Sequence, residues 1–161
     1  MVMPFNADEI FEMAEQIERN GAKYYRAAAK KLPVLRQALL DLAAMEDVHE
    51  KTFAAMRAEL SASEKVPLVF DPDAQAQAYL RVLADGHVFN IRIDPAKLLA
   101  EQKSPQDILK TAIGLERDSI AFYVGLRDGV SQKAGKDKVE AIIKEEMSHI
   151  VILNQKLAEL K

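Results

Sequence analysis

The chain repeats itself, and the repeat includes charged residues as well as apolar ones. At an offset of 98, Ile10/Ile108, Ala14/Ala112, Glu18/Glu116, Arg19/Arg117 and Tyr25/Tyr123 are identical pairs. At an offset of 100, Glu46 pairs with Glu146 and His49 with His149, while Leu39/Val139 and Leu42/Ile142 keep their apolar character. An internal duplication of this kind implies two structural copies related by an approximate two-fold axis. Whatever one copy buries, the other buries at the matching place.

Each copy reads as a pair of helices. The first segment, about residues 7–31, follows Asn6, a plausible N-cap with Glu9 three residues on. Ile10, Met13, Ala14 and Ile17 then share one face. The second, about 33–60, opens at Pro33. The third, about 105–129, begins with Ser104-Pro105-Gln106-Asp107, where serine caps, proline takes the first helical position and aspartate suits the dipole. The fourth covers about 135–160.

The links are short within each pair and long between them. Residues 61–103 contain Pro67, Pro72, Gly86 and Pro95, and are expected to hold two short helices (about 74–84 and 96–102) around an extended piece, Val88 to Ile93. A helix of about 28 residues is roughly 42 Å long, which about 13 extended residues can cover. This link can therefore run back along a bundle. Two antiparallel hairpins joined by such a crossover give an all-α, ferritin-like four-helix bundle in a single domain, 1–161.

Glu46-Asp47-Val48-His49 and Glu146-Met147-Ser148-His149 are both Glu-x-x-His. On a helix, positions i and i+3 lie about one turn apart on nearly the same face, so both side chains can reach one ion. Glu18 and Glu116 each add a carboxylate from another helix. All six residues fall within about two residues of the estimated helix midpoints, and in a bundle of similar helices the midpoints share one layer. Burying four carboxylates together is very costly, and two divalent cations would neutralise them. Glutamate from two helices and Glu-x-x-His from the other two is the ligand set of di-iron carboxylate bundles. Oxygen and imidazole donors suit iron or manganese and are compatible with zinc.

Tyr25 and Tyr123 lie seven residues after Glu18 and Glu116, two turns on and on nearly the same face. They are candidates for hydroxyls that hold a liganding carboxylate. Met13, Met45 and Met147 read as core filler. Asp47, Glu50 and Glu145 flank the motifs and point away from the ligand face, toward solvent or toward the ligands' outer side. His87 stands apart in the crossover and reads as an ordinary polar residue.

Composition closes several routes. The chain has no cysteine, which excludes disulfides, thiolate zinc sites and iron–sulfur clusters within these residues. A net charge of −3 without a dense basic block argues against nucleic acid as a partner. No run approaches the ~20 apolar residues that span a bilayer. Met1-Val2-Met3-Pro4-Phe5 lacks the start of a secretory signal, so a cytoplasmic location is expected.

Glu46 to Phe53, Glu-x-x-His-Glu-Lys-x-Phe, and Ala112 to Tyr123 around Glu116 resemble the rubrerythrin family of ferritin-like proteins. The resemblance extends over the four long helices. It implies that Glu18, Glu46, His49, Glu116, Glu146 and His149 ligate two iron ions per chain, and that the centre reacts with peroxide or dioxygen. Two departures stand out. Rubrerythrins carry a cysteine-rich rubredoxin-like domain that delivers electrons, which this chain lacks, so a separate electron donor is implied. They also carry a further carboxylate one turn after the third-helix glutamate, where this chain has Ser119. The expected function is a di-iron oxidoreductase. The alternatives are a ferroxidase or iron-storage protein and a metal-free structural bundle. Apolar Val66, Leu68, Val69 and Phe70 in the crossover point to a homodimer.

Overall fold

The computed structural model describes residues 5–65, 75–84 and 94–160. These form six α-helices: α1 (Ala7–Lys31), α2 (Arg36–Ala58), α3 (Gln75–Ala84), α4 (Pro95–Ala100), α5 (Pro105–Gly129) and α6 (Lys136–Glu159). There is no strand among the described residues. The expected extended piece from Val88 to Ile93, His87, and the apolar group Val66, Leu68, Val69 and Phe70 lie outside the described residues.

Local chemistry accounts for the boundaries. Asn6 and Glu9 form a reciprocal capping box, each side chain accepting from the other's backbone N–H at 2.9 Å. Ser104 accepts from the Asp107 N–H at 3.1 Å, with Pro105 at the first helical position. The second long helix starts later than its periodicity suggests. Pro33–Leu35 form a 3₁₀ turn, and the α-helix begins only at Arg36. Proline fixes its own φ and offers no N–H, so the tight turn takes the place of a first α-turn. Gly135 precedes α6 with φ 105°, a left-handed conformation that glycine adopts without strain.

Two apolar cores fill the bundle, and their membership gives the topology. One joins Ile10, Phe11 and Ala14 of α1, Phe53 and Met56 of α2, Phe122 and Leu126 of α5, and Val139 and Ile142 of α6. The other joins Tyr24 and Ala28 of α1, Leu39 and Leu42 of α2, Ile108 and Leu109 of α5, and Leu153 of α6. The first core thus takes the N-terminal halves of α1 and α6 with the C-terminal halves of α2 and α5. So α1 and α2 are antiparallel, α5 and α6 are antiparallel, and α2 and α5 are parallel. Parallel neighbours in sequence require the chain to return along the whole bundle.

The described parts of the crossover fit that path. Helix α3 packs on α5 at the first core: Leu80 and Leu83 are buried there, and the Tyr79 hydroxyl donates to the Ala121 carbonyl at 2.7 Å. A side chain at Gly125 would collide with the Tyr79 ring, so the absence of a Cβ is what allows α3 to lie so close. Helix α4 packs on α1 at the second core, with Leu99 buried and the Leu99 carbonyl accepting from Lys31 Nζ at 3.2 Å.

Met45 and Met147 are not core filler. They are exposed, Met147 to 54%, because each lies one residue from a buried glutamate and so about 100° round the helix from it. Met13 does pack against the first core. No helix of the described residues is long and apolar enough to cross a membrane.

Phe53 is fully buried between Phe11 and Tyr123, with ring centroids at 6.3 and 5.1 Å. Phe53→Ala is expected to cost about 3–5 kcal/mol in denaturant unfolding of the metal-free protein. A loss below about 1 kcal/mol would contradict this account of the core.

Candidate metal centre

Between the two cores lies a layer of charge. Glu18, Glu46, His49, Glu116, Glu146 and His149 are all buried, and Glu18, Glu146 and His149 have no exposure at all. Each comes from the middle of a long helix, where the backbone is most rigid. Two sets of side-chain atoms lie within 4.8 Å of one another: Glu18, Glu46, His49 and Glu146 in one, and Glu46, Glu116, Glu146 and His149 in the other. Glu46 and Glu146 belong to both. The Glu-x-x-His glutamates are therefore central and shared, while Glu18 with His49 and Glu116 with His149 close the two ends.

Both histidines turn Nδ1 inward. His49 Nδ1 lies 2.7 Å from Glu146 and 3.4 Å from Glu18; His149 Nδ1 lies 3.2 Å from Glu46 and from Glu146 and 3.4 Å from Glu116. The rings stack with centroids 5.8 Å apart and planes 18° from parallel. Despite these short distances, Glu18 Oε2, Glu46 Oε1, both Glu146 oxygens and both Nδ1 atoms have no hydrogen bond of good geometry. Six buried donor atoms face one another without satisfying one another. Such groups normally have partners, and this donor set, four carboxylate groups and two imidazoles, fits two divalent cations.

The tyrosines hold the end carboxylates, and they do so crosswise. The Tyr25 hydroxyl on α1 donates to Glu116 on α5, and the Tyr123 hydroxyl on α5 donates to Glu18 on α1. Periodicity places each tyrosine on its own glutamate's face; the antiparallel packing of α1 and α5 brings each within reach of the opposite one. A third link, Tyr24 hydroxyl to Ile108 carbonyl at 2.8 Å, ties the same two helices outside the layer.

Gly21, one turn past Glu18, lies against the carboxylate of Glu46. A Cβ there would stand 2.6 Å from Glu46 Oε2. Its counterpart at the offset of 98 is Ser119, buried, with its hydroxyl donating to the Leu115 carbonyl of its own helix at 2.9 Å. Outside the layer, Asp47 pairs with Arg26 and Glu50 with Arg19, both partly exposed and of small energetic value. Glu145 differs from both. It reaches back across to α2, and its Oε2 lies 2.6 Å from His49 Nε2. The Sδ of Met45 lies 3.1 Å from His149 Nε2. Neither contact follows from helical periodicity, because each depends on how α2 meets α6. The duplication does mark the spot, since residues 45 and 145 are equivalent and differ.

Burial and mutual repulsion reshape the protonation of this layer. Burial, then the charges of Glu46 and Glu146, raise the Glu18 pKa well above the usual carboxylate range. Burial and Glu146 push Glu116 up to about 8, and burial and Glu116 raise Glu46. Burial also opposes charge on Glu146, but Glu116, His149 and His49 around it hold its pKa below the usual value. Burial alone would lower both histidines; the adjoining carboxylates instead raise His49 to about 11 and His149 to about 12. The layer neutralises itself with protons where metal ions would otherwise do so.

No family model and no curated protein matches the sequence. Among solved structures, the fold is similar to a Thermotoga maritima protein described as a candidate ferritin-like diiron-carboxylate protein. The two are 22% identical, the TM-score is 0.76, and the match covers 100% of each chain. That likeness shows the fold, an all-α ferritin-like bundle.

The raised pKa values set a pH dependence. Folded Glu116 keeps its proton up to about pH 8, against an ordinary value of 4.5, and the histidines keep theirs to about 11 and 12, against 6.5. Between about pH 5 and 8 the folded metal-free protein binds more protons than the unfolded chain, so its stability falls as pH rises. Metal-free protein should melt at a higher temperature at pH 6 than at pH 8.5. Saturating divalent metal displaces those protons and should weaken or reverse the trend. A metal-free melting temperature that rises between pH 6 and 8.5 would contradict this.

Proposed function

We propose that the protein is a di-iron oxidoreductase of rubrerythrin type that reduces peroxide or dioxygen. The observation that carries the reading is the buried layer of four glutamates and two histidines, in which Glu18, Glu46, Glu146 and both histidines have inward donor atoms without a hydrogen-bond partner. Glu46 and Glu146, which belong to both groups of donor atoms, would help to hold both ions. Glu18 and His49 would complete one ion's shell, Glu116 and His149 the other's. Iron bound there would supply redox chemistry toward peroxide or dioxygen, with a separate donor as the source of electrons. Iron rather than manganese or zinc follows from the resemblance to rubrerythrins.

The chain's own residues perform the supporting work. Tyr25 and Tyr123 fix the rotamers of Glu116 and Glu18, so that neither end carboxylate swings out of the layer. The aromatic groups on the first-core side, Phe53 and Tyr123, are fully buried and keep bulk water from that flank. These 161 residues contain no cysteine and so no ligands for a rubredoxin-like iron site; the electrons would reach the centre from outside them.

Metal content tests the reading directly. Protein purified aerobically from iron-replete cells should carry close to two iron atoms per chain, and the double variant Glu46→Ala, Glu146→Ala should carry almost none. Undiminished metal in that variant would place the site elsewhere. Mass in solution separates oxidoreductase from storage protein: a dimer fits the former, a closed shell of many subunits the latter.

Ser119 gives a second test. Oxidation raises the charge at the centre, and a fifth carboxylate would favour the oxidised state. Ser119 is buried one turn past Glu116, so Ser119→Glu should bring a carboxylate near the metals. In stopped-flow mixing of anaerobically reduced protein with peroxide, the variant should re-oxidise faster than its parent. An equal or slower rate at unchanged metal content would refute the electrostatic role of this position.

A further inference from the structure

The two halves of the centre share all six buried ligand candidates and differ on the outer face of the histidines. Glu46 and Glu146, Glu18 and Glu116, and His49 and His149 are identical pairs, and each end carboxylate receives a tyrosine hydroxyl. Ser119 and its counterpart Gly21 differ, but the Ser119 hydroxyl is engaged by its own helix. Both imidazoles present Nδ1 to the layer and Nε2 outward. What meets Nε2 is a carboxylate on one side, Glu145 at 2.6 Å from His49, and a thioether on the other, Met45 at 3.1 Å from His149.

These partners are chemically unequal. A carboxylate is a strong acceptor: it holds the proton on Nε2, leaves the Nδ1 lone pair directed inward, and makes that lone pair a better donor to a cation. A thioether is a weak acceptor and does little of either. Carboxylate–histidine–metal arrangements of this type lose about 10–100-fold in metal affinity when the outer group is removed. Glu145 is 58% exposed, and water screens its charge, so the lower end of that range applies here.

We infer that the chain holds its two metal ions unequally: the position closed by Glu18 and His49 fills first, and Glu145 is the positioning residue that sets this order. The inference rests on the dinuclear reading above. Over a range of metal concentrations the protein is then a one-metal species, and the ion beside His149 is the one gained and lost. The order of filling follows from one departure from the internal repeat.

The test is a Co²⁺ titration of the metal-free protein, followed by visible absorption and calorimetry. The parent should bind two ions in two steps, the first about tenfold tighter than the second. Glu145→Ala should weaken the first step by about that factor and merge the two, with stoichiometry still two. Glu145→Gln keeps an acceptor oxygen and should restore part of the separation, which a merely structural role would not require. Met45→Glu should bring the second step up to the first. In single-histidine variants, the tight step should survive His149→Ala and vanish in His49→Ala. Equal affinities in the parent, an unchanged first step in Glu145→Ala, or a tight step that survives His49→Ala overturns the inference while leaving the dinuclear reading intact. A parent that binds no Co²⁺ at these residues overturns both.

Discussion

Four carboxylates and two imidazoles sit in a layer sealed above and below by hydrocarbon, and the rest of the structure is organised around the cost of keeping them there. Taking a charged group out of water costs several kcal/mol even after relaxation. The fold offsets this in two ways. It gathers the groups close enough for protons or cations to neutralise them, and it closes the bundle on either side with separate apolar cores anchored by residues such as Phe11 and Phe53 at one end and Leu39 and Leu109 at the other. The layer falls at the helix midpoints, away from the fraying ends, so the rigid part of each helix carries the buried polar groups. Gly21 shows how tight the arrangement is, for a single methyl group there would displace Glu46.

Much of this was legible in the sequence. Periodicity gave four long helices, and the link lengths gave two hairpins with a crossover, because the stretch 61–103 is long enough to run back along the bundle while the other links are short. The six polar residues that the structure brings together are those the duplication picks out. What the sequence did not convey is how helices meet. Tyr25 reaches Glu116 rather than Glu18, because its direction is set by the α1–α5 packing and not by its place on α1. Met45 and Met147 read as core and prove exposed, since one step along a helix from a buried position turns a side chain through about 100°. The Pro33 turn delayed the start of α2 because proline's fixed geometry suits a 3₁₀ turn as well as a first α-turn.

Duplication explains both the symmetry of the centre and the place where it breaks. Two copies of one helical hairpin each supply two glutamates and a histidine to the layer. Once paired, the copies are free to differ wherever the layer does not demand identity. Residues 45 and 145 are such a position: they lie outside the layer but against its histidines. There one copy sets a thioether and the other a carboxylate against the outer nitrogen of a histidine. The same holds at Gly21 and Ser119, where one copy makes room for Glu46 and the other holds a hydroxyl tied to its own backbone.

The central claim is that the buried layer exists to hold two metal ions. Anomalous diffraction from crystals grown with iron or manganese locates such ions without reference to activity. The account predicts two anomalous peaks inside the layer, each beside one histidine and both in contact with Glu46 and Glu146. A layer without anomalous peaks, or peaks confined to surface carboxylates, would contradict it.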